Sequence, residues 1–281
     1  MKDPAKVVTG MLGLAALLAP AAASGQVVLT GDAGAFNAYV WRGVTLTNQF
    51  VLQPDLYLTM PAGGGSIVLG GWGSIDAGRY DDPVNDLSEG GGTSSFNATE
   101  LNLWAEYSHG LGSSLTGTVG GLFYLFPNEA GLTNDVNRTV EVYGKLQAGV
   151  PLSPKLSAWY DVDKVNGLYL EGSIAQPVSA VSGFPVTLGA LAGFSTGQGI
   201  NDHNPGEIAN FARNSLTHVD VSATGALSLG PVTLAPTVHL LILNDEFAQV
   251  TKPSVSRDVK AWAGATITWS RALTRARTTS E

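Results

Sequence analysis

The 281-residue chain has no cysteine and carries 15 basic against 23 acidic residues, a formal net charge of −8. Disulfide scaffolds and thiolate metal centres are excluded, and the acidic balance argues against nucleic acid, whose phosphates are held by an excess of Lys and Arg. Only 14% of residues are charged, 44% are hydrophobic and 35 are glycine, a composition unlike a soluble domain of this length and suited to strands joined by tight turns.

The first residues read as an address. Lys2 and Lys6 precede an apolar stretch from Val7 to Ala19, and the small residues "AAASG" that follow offer a cleavage site near Ala23 or Gly25. The stretch is shorter than the about 20 residues a membrane helix needs. Residues 1–25 are therefore expected to be a removed signal peptide, 26–270 the folded domain and 271–281 a basic, unstructured tail. Beyond the leader no run of apolar residues is long enough for a helical span.

Next comes a period of two. Leu52, Pro54, Leu56, Leu58 and Met60 alternate with Gln53, Asp55, Tyr57 and Thr59, which gives a strand with one apolar and one polar face. The same dyad recurs around Leu101 to Tyr107, Val140 to Val150, Leu156 to Asp163 and Leu168 to Ile174. Weaker copies run over Phe36 to Leu46, Ile67 to Asp76, Leu115 to Phe126, Val186 to Thr196, Leu216 to Leu229, Val232 to Leu243 and Val259 to Trp269. Together these make twelve strands, near the about 9 to 11 residues that a tilted strand needs to cross a bilayer.

The connections alternate between tight turns ("PAGGG", "GLGSS", "PLSPK", "PVSAVSG", "LGP") and longer polar loops, the longest being Arg79 to Asn97 and Gly197 to Ser215. Short turns at one end and long loops at the other are the pattern of outer-membrane barrels. The expected fold is all-β: a closed, up-and-down, antiparallel transmembrane β-barrel of about 12 strands.

Periodicity alone does not say which face is inside. A soluble barrel or sandwich would bury the apolar face, but the polar faces here carry too many carboxylates to sit in a dry core, where each ion costs several kcal/mol. An inverted barrel resolves this, with lipid outside and water inside, and closure removes the unpaired edges that hydrocarbon cannot satisfy. The last strand, "WAGATITWS", holds Gly264, Ile267 and Trp269 in a G-x-x-Φ-x-Φ arrangement that resembles the signal read by the outer-membrane assembly machinery. That machinery and membrane lipid are the expected macromolecular partners.

"NAYVWRGVTLTNQFVLQPDLYLT", Asn37 to Thr59, resembles the N-terminal hairpin of the TorF family of porins, whose first strand carries an aromatic-x-aromatic-Arg-Gly-Val-(Ser/Thr) pattern matched by Tyr39, Trp41, Arg42, Gly43, Val44 and Thr45. The resemblance implies an outer-membrane barrel of poorly defined substrate and supplies no catalytic mechanism.

With the polar faces turned inward, the expected pore-lining residues are Arg42, Asp55, Tyr57, Glu100, Trp104, Glu106, Glu141, Lys145, Trp159, Asp161, Asp163, Glu171, Asp220 and Lys260. Arg42 is expected on the first wall strand, paired with a carboxylate such as Asp55, while Tyr39 and Trp41 face lipid. Tyr143, Tyr169 and Trp262 join the inward aromatics. Trp41, Tyr107 and Trp269 are expected in the outer girdle. An acidic lumen suits cations or neutral small solutes. The histidines His109, His203, His218 and His239 form no recognised catalytic or metal signature, so neither an enzyme, a metal nor a cofactor is expected. The competing readings are a closed barrel with a structural or ligand-binding role and a secreted carbohydrate-binding β-sandwich.

Overall fold

The computed structural model describes residues 26–76, 96–127, 137–181, 184–204, 209–244 and 259–273. The signal segment 1–25, nearly all of the Arg79 to Asn97 loop and the tail beyond Leu273 lie outside the described residues.

Strands follow one another in chain order: β1 (Val28–Phe36), β2 (Tyr39–Trp41), β3 (Val44–Thr47), β4 (Val51–Ala62), β5 (Gly65–Asp76), β6 (Asn97–Gly110), β7 (Leu115–Leu125), β8 (Arg138–Ala148), β9 (Lys155–Asp161), β10 (Leu168–Val181), β11 (Phe184–Thr196), β12 (Ser215–Gly225), β13 (Leu227–Leu229), β14 (Val232–Asn244) and β15 (Ala261–Ala272). Apart from one 3-10 turn at Ile200–Asp202, the described residues contain no helix.

Each wall strand pairs antiparallel with its sequence neighbour from β4 to β12. Two further pairings close the cylinder: β1 bonds to both β4 and β15, and β14 bridges β15 and β12. The three residues of β13 carry on along β14 where β12 stops. The result is a closed twelve-stranded antiparallel barrel, so every wall strand has partners on both sides and no edge is left open.

The faces sort as the dyad demands. Leu56, Leu103, Val119, Val142, Leu156, Leu188, Val238, Ile242 and Ile267 all stand exposed on the outer surface, whereas Asp55, Glu100, Glu141, Asp161 and Glu171 are buried inside. Leu56 is 52% exposed and Leu101 43%, so these residues do not meet in a dry interior. An apolar belt of this extent far exceeds what soluble monomers expose; its physical match is hydrocarbon.

The two ends of the barrel differ. Gly63 and Gly64, both at positive φ, make the tight turn between β4 and β5, and the turns 111–114, 149–154 and 230–231 lie at that same end, together with the start of β1 and the end of β15. The strand ends that the longer connections join, Thr196 and Ser215 among them, lie at the other end.

Three boundaries move. The segment Phe36 to Leu46 is not a wall strand; the first wall strand is β1, whose sequence "VLTGDAGAF" is too small and glycine-rich to show a clear dyad. The stretch "PVSAVSG", expected as a turn, is largely strand, because β10 continues to Val181. The last strand reaches Ala272, so the domain does not stop at residue 270.

Inner-wall glycines allow aromatic rings to lie flat across the neighbouring strand. A Cβ at Gly70 would collide with the Trp104 ring, and one at Gly120 with Tyr143; glycine in a strand commonly marks such close approach.

Candidate functional site: a hairpin inside the barrel

Between β1 and β4 the chain turns inward. β2 and β3 form a separate two-stranded hairpin, with Tyr39 opposite Thr47 and Trp41 opposite Val44. At its tip Arg42 has φ +47 and Gly43 φ +83, the pair of positive values that a two-residue type I′ hairpin turn requires. Asn-Gly is the usual occupant of such a turn, and an arginine with φ above zero is uncommon. The tip residue is therefore chosen for what it reaches.

Its neighbours locate the hairpin. Tyr39 donates to Glu100 Oε2 on β6 at 3.2 Å and its ring packs on Trp72 of β5. The Arg42 guanidinium makes a forked pair with Glu141 of β8, Nη1 to Oε1 at 2.9 Å and Nη2 to Oε2 at 3.0 Å. It also lies 4.1 Å from the ring of Tyr169 on β10 and 5.7 Å from that of Trp159 on β9. Gly43 abuts His218 of β12, where a Cβ would come within 2.6 Å of the histidine Cβ. A nine-residue hairpin can touch six wall strands spread around a cylinder only from within it.

A hydrophobic cluster seals the contact. Tyr39, Trp41, Val51, Trp72, Leu122, Tyr124, Phe126, Tyr143, Trp159, Tyr169 and Phe211 are buried together, with Trp41 stacked on Phe211 at 5.9 Å and Phe211 stacked on Tyr169 at 6.4 Å. Phe211 comes from the loop between β11 and β12, where an isolated bridge to Gly199 holds it. Thr45 Oγ1 accepts from the backbone N–H of Val259 at 3.0 Å, which ties the hairpin to the chain entering β15. Eight strands leave an interior that side chains can fill and sixteen leave an open channel; at twelve, the extra space near the loop end is taken up by this hairpin.

Away from the hairpin the inner wall is acidic and hydroxylated. Asp32 of β1 and Asp55 of β4 are register partners, both buried. Lys145 Nζ and Tyr143 hydroxyl both donate to Glu106 Oε2, at 2.8 and 2.9 Å. Asp220 Oδ2 lies 3.0 Å from His239 Nδ1, and His239 stacks on Trp262 at 4.5 Å. Back at the hairpin, the Glu100 carboxylate that Tyr39 meets also accepts from Asn102, at Oε1, at 2.7 Å.

Of the residues expected to line the interior, Asp55, Glu100, Glu141, Trp159, Asp161 and Glu171 are buried within it, and Tyr57, Trp104, Glu106, Lys145 and Asp220 share their face, partly exposed. Arg42 is interior too, but it arrives on the hairpin and its partner is Glu141, not Asp55. Tyr39 and Trp41, expected against lipid, are buried in the lumen, because the aromatic alternation belongs to a hairpin filling the bore. Trp269 is on the outer face and exposed.

Asp163 and Lys260 are not on the inner wall: both fall outside the strands and are exposed, and Asp163 pairs with neighbouring Lys164 at 3.5 Å. Asp161 is interior but committed locally. Its Oδ1 accepts the backbone N–H groups of Asp163, Val165 and Asn166 at 3.1, 2.7 and 3.3 Å, and its Oδ2 accepts from Thr139 at 2.6 Å, so it folds the β9–β10 loop. Asp32, Trp72, Tyr124 and Phe211 were not among the expected site residues; the missing signal was the tip, since Arg-Gly between aromatic and β-branched pairs is a hairpin pattern as well as a strand.

An inside-out, closed β-barrel with an internal hairpin is the class that these features define. The chain belongs to the bacterial protein family described as "Bacterial protein of unknown function (Gcw_chp)", which matches residues 20–204 and so takes in the hairpin. No curated protein matches it. Among solved structures, a NanC porin is similar at 10% identity and a TM-score of 0.44, covering 88% of this chain and 100% of that one. The toluene transporter TodX of Pseudomonas putida is similar at 12% identity and a TM-score of 0.38, covering 92% of each chain. CdiB from Escherichia coli is similar at 11% identity and 0.39, covering 86% of this chain and 63% of that one. At these values the likeness is one of barrel shape and goes no further.

Proposed function

We propose that this protein is an outer-membrane channel through which small cationic or neutral solutes pass passively, its bore narrowed at the loop end by the 39–47 hairpin. The observation that carries this reading is the inversion of the barrel: leucine, valine and isoleucine outside, carboxylates and hydroxyls inside. Asp32, Asp55, Glu106 and Asp220 stand along the inner wall, and like-signed rings set selectivity in pores. The reading assigns no catalytic step, and it takes the outer membrane, reached through the expected signal peptide and the assembly machinery, as the location.

The buried hairpin supports a second reading, a barrel closed in its resting form whose role is to bind. Planar-bilayer recording of the intact protein and of a variant with residues 38–48 replaced by a short glycine linker separates the two. The channel reading expects a larger, cation-biased conductance from the shortened protein than from the intact one. Silence from both would contradict it and favour the closed form.

A further inference from the structure

The surroundings of Arg42 have the chemistry of a receptor for a planar cation. Both oxygens of Glu141 meet it, and the Tyr124 hydroxyl donates to Oε2 of that carboxylate at 2.7 Å, fixing its plane. Tyr169 and Trp159 present ring faces at 4.1 and 5.7 Å, the position from which aromatic rings attract a cation. All four residues stand on wall strands β7 to β10, and none belongs to the hairpin. The hairpin's own Trp41 adds a third ring at 4.7 Å, but the carboxylate, the hydroxyl that fixes it and the two rings of Tyr169 and Trp159 are all supplied by the barrel wall. Two parallel N–H···O bonds to one carboxylate are a guanidinium's geometry; an ammonium is a point charge that cannot span both oxygens in the same way.

We infer that the Glu141, Tyr124, Trp159 and Tyr169 pocket is a guanidinium-binding site that Arg42 occupies in cis, and that a small solute carrying a guanidinium group competes with Arg42 for it and displaces the hairpin. The strained tip agrees with this: Arg42 holds a left-handed conformation at φ +47 to deliver its head group, so the turn and the pocket pull on the same residue. Whether such a solute then crosses the barrel rests on the proposed channel. Occupancy of the pocket does not.

The test uses ethylguanidinium chloride as the probe, with ethylammonium chloride and sodium chloride at equal ionic strength as controls. In the detergent-solubilised Arg42→Ala protein, ethylguanidinium at millimolar concentration raises the thermal unfolding midpoint by several degrees, ethylammonium does not, and the response disappears in Arg42→Ala/Glu141→Gln. Equal responses to the two organic cations, a response that survives Glu141→Gln, or none in Arg42→Ala would each overturn the inference. A second arm keeps Arg42. The chain has no cysteine, so Val40→Cys, at a position 6% exposed, reports hairpin release by its reaction with a bulky hydrophilic maleimide. Ethylguanidinium accelerates that labelling several-fold; an unchanged rate overturns the displacement. Neither readout involves conductance, so a silent channel would leave both standing.

Discussion

Arg42 and Glu141 are 99 residues apart in sequence, yet their side chains meet through two hydrogen bonds with neither exposed to solvent. Removing one member of a buried pair leaves the other as an uncompensated charge, at a loss of about 3 to 5 kcal/mol. Arg42→Met and Glu141→Gln are each expected to lose that much in urea unfolding of the lipid-embedded protein. The double variant should lose less than the sum, by a coupling of about 0.5 to 3 kcal/mol. Additive losses would mean that the pair holds nothing together.

The tip glycine makes a separate prediction. Gly43 sits at φ +83 and faces His218, so Gly43→Ala meets both a backbone and a steric penalty. Alanine where φ is positive destabilises by more than about 1 kcal/mol. Because β2 and β3 form a sheet of their own, separate from the wall, the loss is expected to appear as faster maleimide labelling of Val40→Cys, with the strand content by circular dichroism unchanged.

Much of the wall was legible in the sequence because its physics is local. In β4, β8 and β9 each residue's parity decides whether it faces out or in, and Leu56, Val142 and Leu156 fall outside as their alternation requires. The hairpin was not legible for the same reason. "AYVWRGVTL" alternates too, and parity cannot distinguish a strand in the wall from a short ribbon folded into the lumen; only the distant partners Glu141, Tyr169 and Phe211 make that choice. β1 is not legible either, because Gly31, Ala33, Gly34 and Ala35 carry little apolar signal, although Asp32 in its middle is buried opposite Asp55.

Ion preference tests the inner wall. In the hairpin-shortened variant, Asp32→Asn/Asp55→Asn removes two adjacent interior carboxylates and is expected, on the channel reading, to move the reversal potential in a salt gradient towards zero. Asp163→Lys reverses a charge whose side chain is 35% exposed beside Lys164 and should leave the potential nearly unchanged. The opposite ranking would place the selectivity at the rim rather than along the wall.

On the outer face, the cost of a charge should follow depth. Val142 lies mid-strand in β8 and Leu111 in the turn after β6, both exposed. Val142→Arg is expected to lose about 2 to 4 kcal/mol in lipid vesicles, and Leu111→Arg about 0 to 1. Equal effects would argue against a bilayer around this belt.

The most direct test of the inverted barrel is the environment of single nitroxide labels placed on cysteines at Leu56, Val142 and Leu156, in a chain that otherwise has none. In lipid vesicles these labels are predicted to relax strongly with oxygen, which concentrates among acyl chains, and weakly with a water-soluble nickel chelate. Labels at all three positions that respond to the nickel chelate more than to oxygen, or that prove immobile and shielded from both, would contradict the account.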